Sequence, residues 1–316
     1  MSESMKRIIL AGGSGFLGRA LAAHFLKANW DVVILTRSPN QAGGAARESA
    51  WDACTVSSWR RELEGATAVV NLTGKSVDCR YNARNRREIL ASRVNSTRVL
   101  GEAISRCAQP PQVWLNASTA TIYKHTFEGP WDERGEIGAT PEAKDAVSVD
   151  VARAWEDTLG DAQTPRTRKL AMRMAMVLGM GKNSVFPVLH RLVRLGLGGK
   201  MGSGHQFVSW IHEVDYCRAV EWLISHDQIL GPVNLTAPNP LPNREMMKTL
   251  RRVCRAPFGL PATNWMLEVG AFFLRTETEL IIKSRRVIPR RLLESGFHFQ
   301  FPSICEAFAE LSNRGA

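Results

Sequence analysis

The chain has 316 residues, 44% hydrophobic and 22% charged, an ordinary globular balance long enough for one large domain or two modest ones. No apolar run approaches the ~20 residues a membrane helix needs, and residues 1–7 are too short and polar for a signal peptide. The net charge of +11 admits nucleic-acid or membrane binding or a basic surface suited to phosphorylated ligands, but clusters such as Arg84/Arg86/Arg87 and Arg285/Arg286/Arg290/Arg291 are mixed with acids and apolar residues and look like solvated helix faces, so neither a nucleic-acid nor a membrane partner is expected.

The first element is an apolar strand, Ile8-Ile9-Leu10-Ala11. It runs into Gly12-Gly13-Ser14-Gly15-Phe16-Leu17-Gly18, with three glycines at G-x-x-G-x-x-G spacing, and a helical pattern follows over Phe16 to Trp30. Strand, glycines and helix together are the context of a dinucleotide-binding turn. Gly12 can take the angles of the tight turn, Gly15 lets the backbone approach a pyrophosphate, and Gly18 lets the helix pack close to the strand. The free N–H groups at the helix start then face the phosphate charge. Asp31 to Thr36 is the second predicted strand. At its end an NAD-binding chain would carry a carboxylate for the ribose 2′-hydroxyl. Thr36-Arg37-Ser38 supplies an arginine and two hydroxyls instead, which suit a 2′-phosphate and favour NADP.

A short third strand ends near Trp51. Ala68 to Leu72 is the fourth, closed by Thr73-Gly74 at the carboxyl edge where ligands sit in open α/β folds. A long helix is predicted over Asn82 to Cys107, a fifth strand over Val113 to Ala117, a helix over Ser148 to Leu159 and a buried strand over Lys169 to Val177. The alternation predicts an α/β fold, a Rossmann-like doubly wound parallel sheet. The hydroxyls of Ser118 and Thr119 after the fifth strand could polarise a substrate carbonyl or hydroxyl, or satisfy their own backbone. Residues 124–146 and 196–204 lack periodicity and are expected to act as lid loops. Pro238, Pro240 and Pro242 suggest a boundary, with residues 1–237 as the NADP-binding domain and 238–316 as a smaller, mainly helical C-terminal part over the substrate cleft. Helices are expected there near Asn243–Arg255, Asn264–Leu274 and Ser303–Leu311. The six cysteines show no paired close spacing, which fits a reduced, cytoplasmic protein and gives no metal signature.

Several stretches carry a resemblance. They are Gly12 to Gly18, Leu35-Thr36-Arg37-Ser38-Pro39, Trp51-Asp52, Asn71-Leu72-Thr73-Gly74, Ser92-Arg93, Ala175 to Gly179, Gly196 to Gly199, Ser209 to His212 and Val287 to Arg291. In that order, along nearly the whole chain, the sequence resembles the extended and atypical short-chain dehydrogenase/reductases. More narrowly, it resembles the epimerase-like NADP-binding family with a C-terminal domain of unknown function. The resemblance implies cofactor contacts at Thr36, Arg37, Leu72, Thr73, Glu88, Arg93 and Val177, and puts Ser14, Phe16, Leu17, Ser38, Trp51 and Gly74 on the cofactor side. On sequence alone Glu88 and Arg93 look like a helix charge pair, worth about 0–1 kcal/mol at a surface.

The superfamily's usual acid–base pair is a tyrosine with a lysine four residues later. Here Tyr81, Tyr123 and Tyr216 are followed at that spacing by Asn85, Phe127 and Val220, and Val147 and Val151 stand where the pair would sit. The catalytic candidates are therefore Ser118 or Thr119, to orient a substrate, and Tyr123 or a bound water, to handle the proton. His205, His212 and Asp215 are further candidates, although His212 suits a helix start. The expected function is an NADP(H)-binding, epimerase-like oxidoreductase acting on a small molecule, as a monomer or homodimer. The alternative is a non-catalytic NADP(H)-binding redox sensor or interaction protein.

Overall fold

Strands with no polar alternation form here because a parallel sheet covered by helices is buried on both faces. The computed structural model describes residues 5–39, 45–263, 266 and 283–315. In chain order the elements are β1 (Arg7–Ala11), α1 (Phe16–Lys27), β2 (Asp31–Thr36), β3 (Arg47–Ala50), β4 (Ala68–Asn71), α2 (Ala83–Ser105), β5 (Val113–Thr119), α3 (Ala146–Asp161), β6 (Arg168–Met174), β7 (Met176–Leu178), α4 (Val185–Arg194), β8 (Phe207–Val208), β9 (Trp210–His212), α5 (Glu213–Ser225), β10 (Gly231–Leu235), β11 (Leu241–Pro242), α6 (Asn243–Val253), α7 (Arg290–Glu294) and α8 (Ile304–Arg314).

Seven strands make one parallel sheet in the order β10-β6-β5-β4-β1-β2-β3. The order reverses between β1 and β4, and such a switch leaves a crevice above the carboxyl ends of the strands. Alternate residues feed two cores. Ile8, Leu10, Ile34, Val70 and Leu115 pack with Phe25 of α1 and Val220 of α5, whereas Ile9, Ala11, Leu35, Val69 and Trp114 pack with Val99 and Leu100 of α2.

Two of the departures from the expected boundaries have a plain local cause. Helix α1 ends at Lys27 because Asn29 adopts a left-handed conformation, φ 58°, which asparagine tolerates better than most residues. The buried strand expected over Lys169 to Val177 is two strands. Met174 pairs with Thr119 and Leu235, the last residues of β5 and β10. With no sheet neighbour beyond, the chain turns away, and β7 pairs in parallel with β9.

A third core lies under the helices beyond the sheet. It joins Leu178, Phe186, Leu189, Val193 and Trp210 to Met246, Leu250, Phe308 and Leu311, so it draws on both sides of residue 237. The helix expected near Asn264–Leu274 falls, apart from Met266, outside the described residues. No described helix is long and apolar enough to cross a membrane.

Candidate functional site

The glycine turn is shaped by contacts that exclude side chains. Gly12 has φ +73° and donates its N–H to the Leu35 carbonyl at 3.0 Å. A Cβ there would fall 2.8 Å from Thr73 Oγ1. A Cβ on Gly18 would collide with the Gly13 backbone, so this glycine seats the helix on the turn itself rather than on the strand. Gly15 is the open one: a Cβ would have no neighbour closer than 3.9 Å. It is also the N-cap of α1, with no side-chain cap and no acid in the first turn, which leaves N–H groups free toward the cleft. Phe16 and Leu17 line that cleft with Gly12, Gly15 and Gly18. Ser14 is exposed, and its carbonyl accepts a 2.7 Å bond from Arg19.

At the end of β2, Arg37 and Ser38 are exposed while Thr36 is buried, its hydroxyl accepting the Ser38 N–H at 3.4 Å. No described residue pairs with Arg37. Trp51 differs from its expected place on the cofactor side. It is only 4% exposed, and its ring stands edge-on to Trp59 with centroids 5.1 Å apart. Two indoles filling the space under α2 leave Trp51 no face for a ligand.

The end of β4 is braced by Asn71, fully buried, whose amide donates to Asn116 Oδ1 at 2.7 Å and whose Oδ1 accepts the Thr73 N–H at 3.1 Å. Leu72 and Gly74 line the cleft. Thr73 Oγ1 is buried without a hydrogen-bond partner. Arg93 lies against Gly74, donates to the carbonyls of Lys75 (3.1 Å) and Ile89 (3.0 Å), and stands 5.0 Å from the centroid of the Trp155 ring. Burial pulls its guanidinium down to about 10, and no described carboxylate neutralises it. The helix charge pair read from the sequence is therefore absent. Glu88 turns to Lys75 and Arg84 instead, whose hydrogen bonds hold its carboxyl down at about 2. Lys75 is in the cleft lining and Glu88 is not.

The three catalytic candidates separate. Ser118 and Thr119 line the cleft. Ser118 donates to Glu156 at 2.5 Å, and Glu156 is held by Arg173 at 2.8 and 2.9 Å. Burial works against the Arg173 charge, but the Glu156 carboxylate raises its guanidinium above the ordinary value. Thr119 Oγ1 accepts the Thr121 N–H at 3.1 Å, so its proton remains for a ligand. Tyr123 is not in the cleft. It is 1% exposed, donates to Asn234 Oδ1 at 2.7 Å and accepts from Arg173 at 2.9 Å. Burial pushes its phenol up to about 12. The Ile122 turn carries it under the sheet edge into a polar core, where it joins strands rather than moving protons.

The remaining lining includes Val177 of β7, Val147, Ser148, Val151 and Trp155 of α3, and Asn183 and Ser184 before α4, around a cleft of about 530 Å³. Sequence reasoning missed Trp155, Glu156, Arg173 and Asn183. One signal was present: Arg173 interrupts the apolar run Leu170-Ala171-Met172, and a charge inside a central strand demands a buried partner.

His212 caps α5 through Nδ1, 3.1 Å from the Val214 N–H, and packs on Phe301. Asp215, also buried, accepts the Gln300 and Phe301 N–H groups. His205 meets Arg244. None of the three lines the cleft. Nor do residues 124–146 and 196–204. The first segment pairs with the C-terminal chain through Trp131 N–H to Arg286 O (2.7 Å) and Ile288 N–H to Trp131 O (2.9 Å), the second through Leu260 N–H to Gly196 O (2.8 Å) and Gly199 N–H to Leu260 O (3.0 Å). Among the described residues no His, Cys, Asp or Glu cluster could hold a metal ion.

Residues 8–235 match the NAD dependent epimerase/dehydratase family, and residues 262–311 a domain of unknown function, DUF1731. The chain is 30% identical to the bovine epimerase family protein SDR39U1, over 96% of this chain and 99% of that one. It is 29% identical to the epimerase family protein YfhF of Bacillus subtilis, over 96% and 97%. It superposes on a crystal structure of human epimerase family protein SDR39U1 (isoform 2) with NADPH at a TM-score of 0.85 and 27% identity, covering 97% of this chain and 99% of that one.

Proposed function

The chain belongs to the NAD dependent epimerase/dehydratase family, and from that premise we propose that it is an NADP(H)-dependent, epimerase-like oxidoreductase acting on a small molecule. The observation that carries the reading is one continuous cleft joining the glycine turn to the Ser118–Thr119 shelf. The residues present fit a dinucleotide. Gly15 leaves room for a close backbone approach, and Arg93, in the cleft lining, is a desolvated cation with no carboxylate beside it among the described residues. NADPH in the human relative supports the same group here. Exposed Arg37, with hydroxyls on either side and no acid at the end of β2, supports the phosphorylated form.

When bound, NADPH supplies a hydride. The chain's own part is orientation. Thr119 can donate to a substrate oxygen, and Ser118, its proton held by Glu156, can accept from a substrate hydroxyl. Arg173 holds both Glu156 oxygens, and Glu156 is not in the cleft lining. Tyr81 is the tyrosine in the described lining, so the proton is left to it or to water.

A second reading is favoured by the same observation. With Tyr123 buried and Val147 and Val151 on the cleft wall, the protein would bind NADP(H) without turnover and act as a redox sensor. Calorimetry with NADPH and a single-turnover assay against a carbonyl panel separate the two. Binding together with a substrate-dependent loss of NADPH absorbance supports the oxidoreductase. Binding with no oxidation on any member supports the sensor, and no binding removes both.

A further inference from the structure

We infer that the substrate of this cleft is an uncharged, largely apolar carbonyl compound or alcohol, not a nucleotide sugar; the inference rests on the NADP(H)-dependent reading above. The wall beside the Ser118–Thr119 shelf is one side of α3. Val147, Val151 and Trp155 stand four residues apart on that helix, share a face, and all line the cleft. An apolar stripe of this spacing ordinarily disappears into a core. Here Val151 and Trp155 are buried but Val147 is only half-buried, and all three line the cleft. Val185 at the start of α4 extends the same character across the cleft.

Charge enters the lining from the side of β4, with Arg93 reaching the Trp155 end of the stripe. Among the described residues, the charged side chains of the lining are Lys75 and Arg93, both beside the end of β4. Lys75 is committed to Asn85 and Glu88. The polar groups that α3 and the turn before α4 bring to the lining are uncharged: Ser148, Asn183 and Ser184. A pyrophosphate placed against Val147 and Val151 would lose its water there, and Arg93, which touches the wall at Trp155, is the cation already assigned to the dinucleotide; an uncompensated second charge is the costliest group to desolvate. A ketone or alcohol asks less. Its one oxygen finds a donor in Thr119 or an acceptor in Ser118, and its carbon frame gains by leaving water for the valines.

The test uses the full chain saturated with NADP+, so that a ketone binds without being reduced. Calorimetric titrations compare 2-tetralone, an uncharged bicyclic ketone, with UDP-glucose. The expected result is a Kd for 2-tetralone at least about tenfold below that for UDP-glucose. Val147→Lys should weaken 2-tetralone by about tenfold or more, measured with the variant itself saturated with NADP+. Val151→Ala, which removes contact without adding charge, should weaken the ketone too, and serves if the lysine variant fails to fold. A UDP-glucose Kd equal to or below that of the ketone overturns the inference, as does a ketone that fails to bind up to its solubility limit. In both cases NADP+ binding leaves the oxidoreductase reading standing. Absence of NADP+ binding overturns that reading itself, and with it this inference.

Discussion

Arg37 and Tyr123 show how differently two conspicuous side chains are used. Arg37 is exposed beyond β2 with no described partner, so a 2′-phosphate would gain charge-assisted bonds from it worth about 1.5–3 kcal/mol, roughly 10- to 150-fold in affinity. Arg37→Asp should erase or reverse a preference for NADPH over NADH, read by calorimetry with both cofactors. Equal affinities in the unmodified protein would rule the role out. Tyr123 is the reverse case, a hydroxyl enclosed between Asn234 and Arg173. Its substitution by phenylalanine should cost about 1–3 kcal/mol by leaving buried partners unsatisfied. Its raised pKa has a definite sign. The folded protein keeps a proton that the unfolded chain releases near pH 10, so this stability is complete below pH 10 and is lost as pH rises to about 12. Melting temperatures taken across that range should fall more steeply for the unmodified protein than for Tyr123→Phe. Tyr216, fully buried and also shifted upward, leaves a residual slope in both.

The elements best read from the sequence are those set by local chemistry. β2 was expected over Asp31–Thr36 and forms over those residues, and α2 starts where Asn82 caps it through Asn85 N–H at 2.8 Å. The split of β6 from β7 was not legible, because it depends on where β5 and β10 happen to stop. The loops teach the same lesson. Residues 124–146 and 196–204 look unstructured in sequence, yet their backbone groups pair with chain more than 60 residues away. Hydrogen exchange should reflect this. NADPH should slow exchange at Gly12–Gly18 and Leu72–Lys75, whose N–H groups border the cleft, and leave both loops unchanged. Marked slowing of 196–204 by NADPH alone would show that it closes over the cofactor.

At the scale of the whole molecule, the third core decides how the chain can be divided. Phe186, Leu189, Val193 and Trp210 precede residue 237, yet their partners Met246, Leu250, Phe308 and Leu311 follow it. Truncation after Ala237 would strip each of cover worth about 1.5–3 kcal/mol, against a total stability of about 5–15 kcal/mol. The shortened chain should lose its cooperative melt by circular dichroism. A melt within about 4 °C of the full-length protein would show that residues 8–235, the span of the family match, stand alone.

The sequence by itself determined the sheet, the glycine turn and the cofactor edge, because each rests on short-range rules: apolar runs, the small size of glycine and the residue at a strand end. It also exposed the missing tyrosine–lysine pair, which is a matter of spacing. Only the tertiary structure decided which hydroxyls face the cleft. Ser118 and Thr119 do and Tyr123 does not, because a short turn over Ala120–Ile122 intervenes and Asn234 and Arg173 take the phenol. It alone decided that Arg93 is stripped of water beside Gly74 while Glu88 goes to Lys75. Burial and partner choice depend on chain segments remote in sequence, and local pattern carries no record of them.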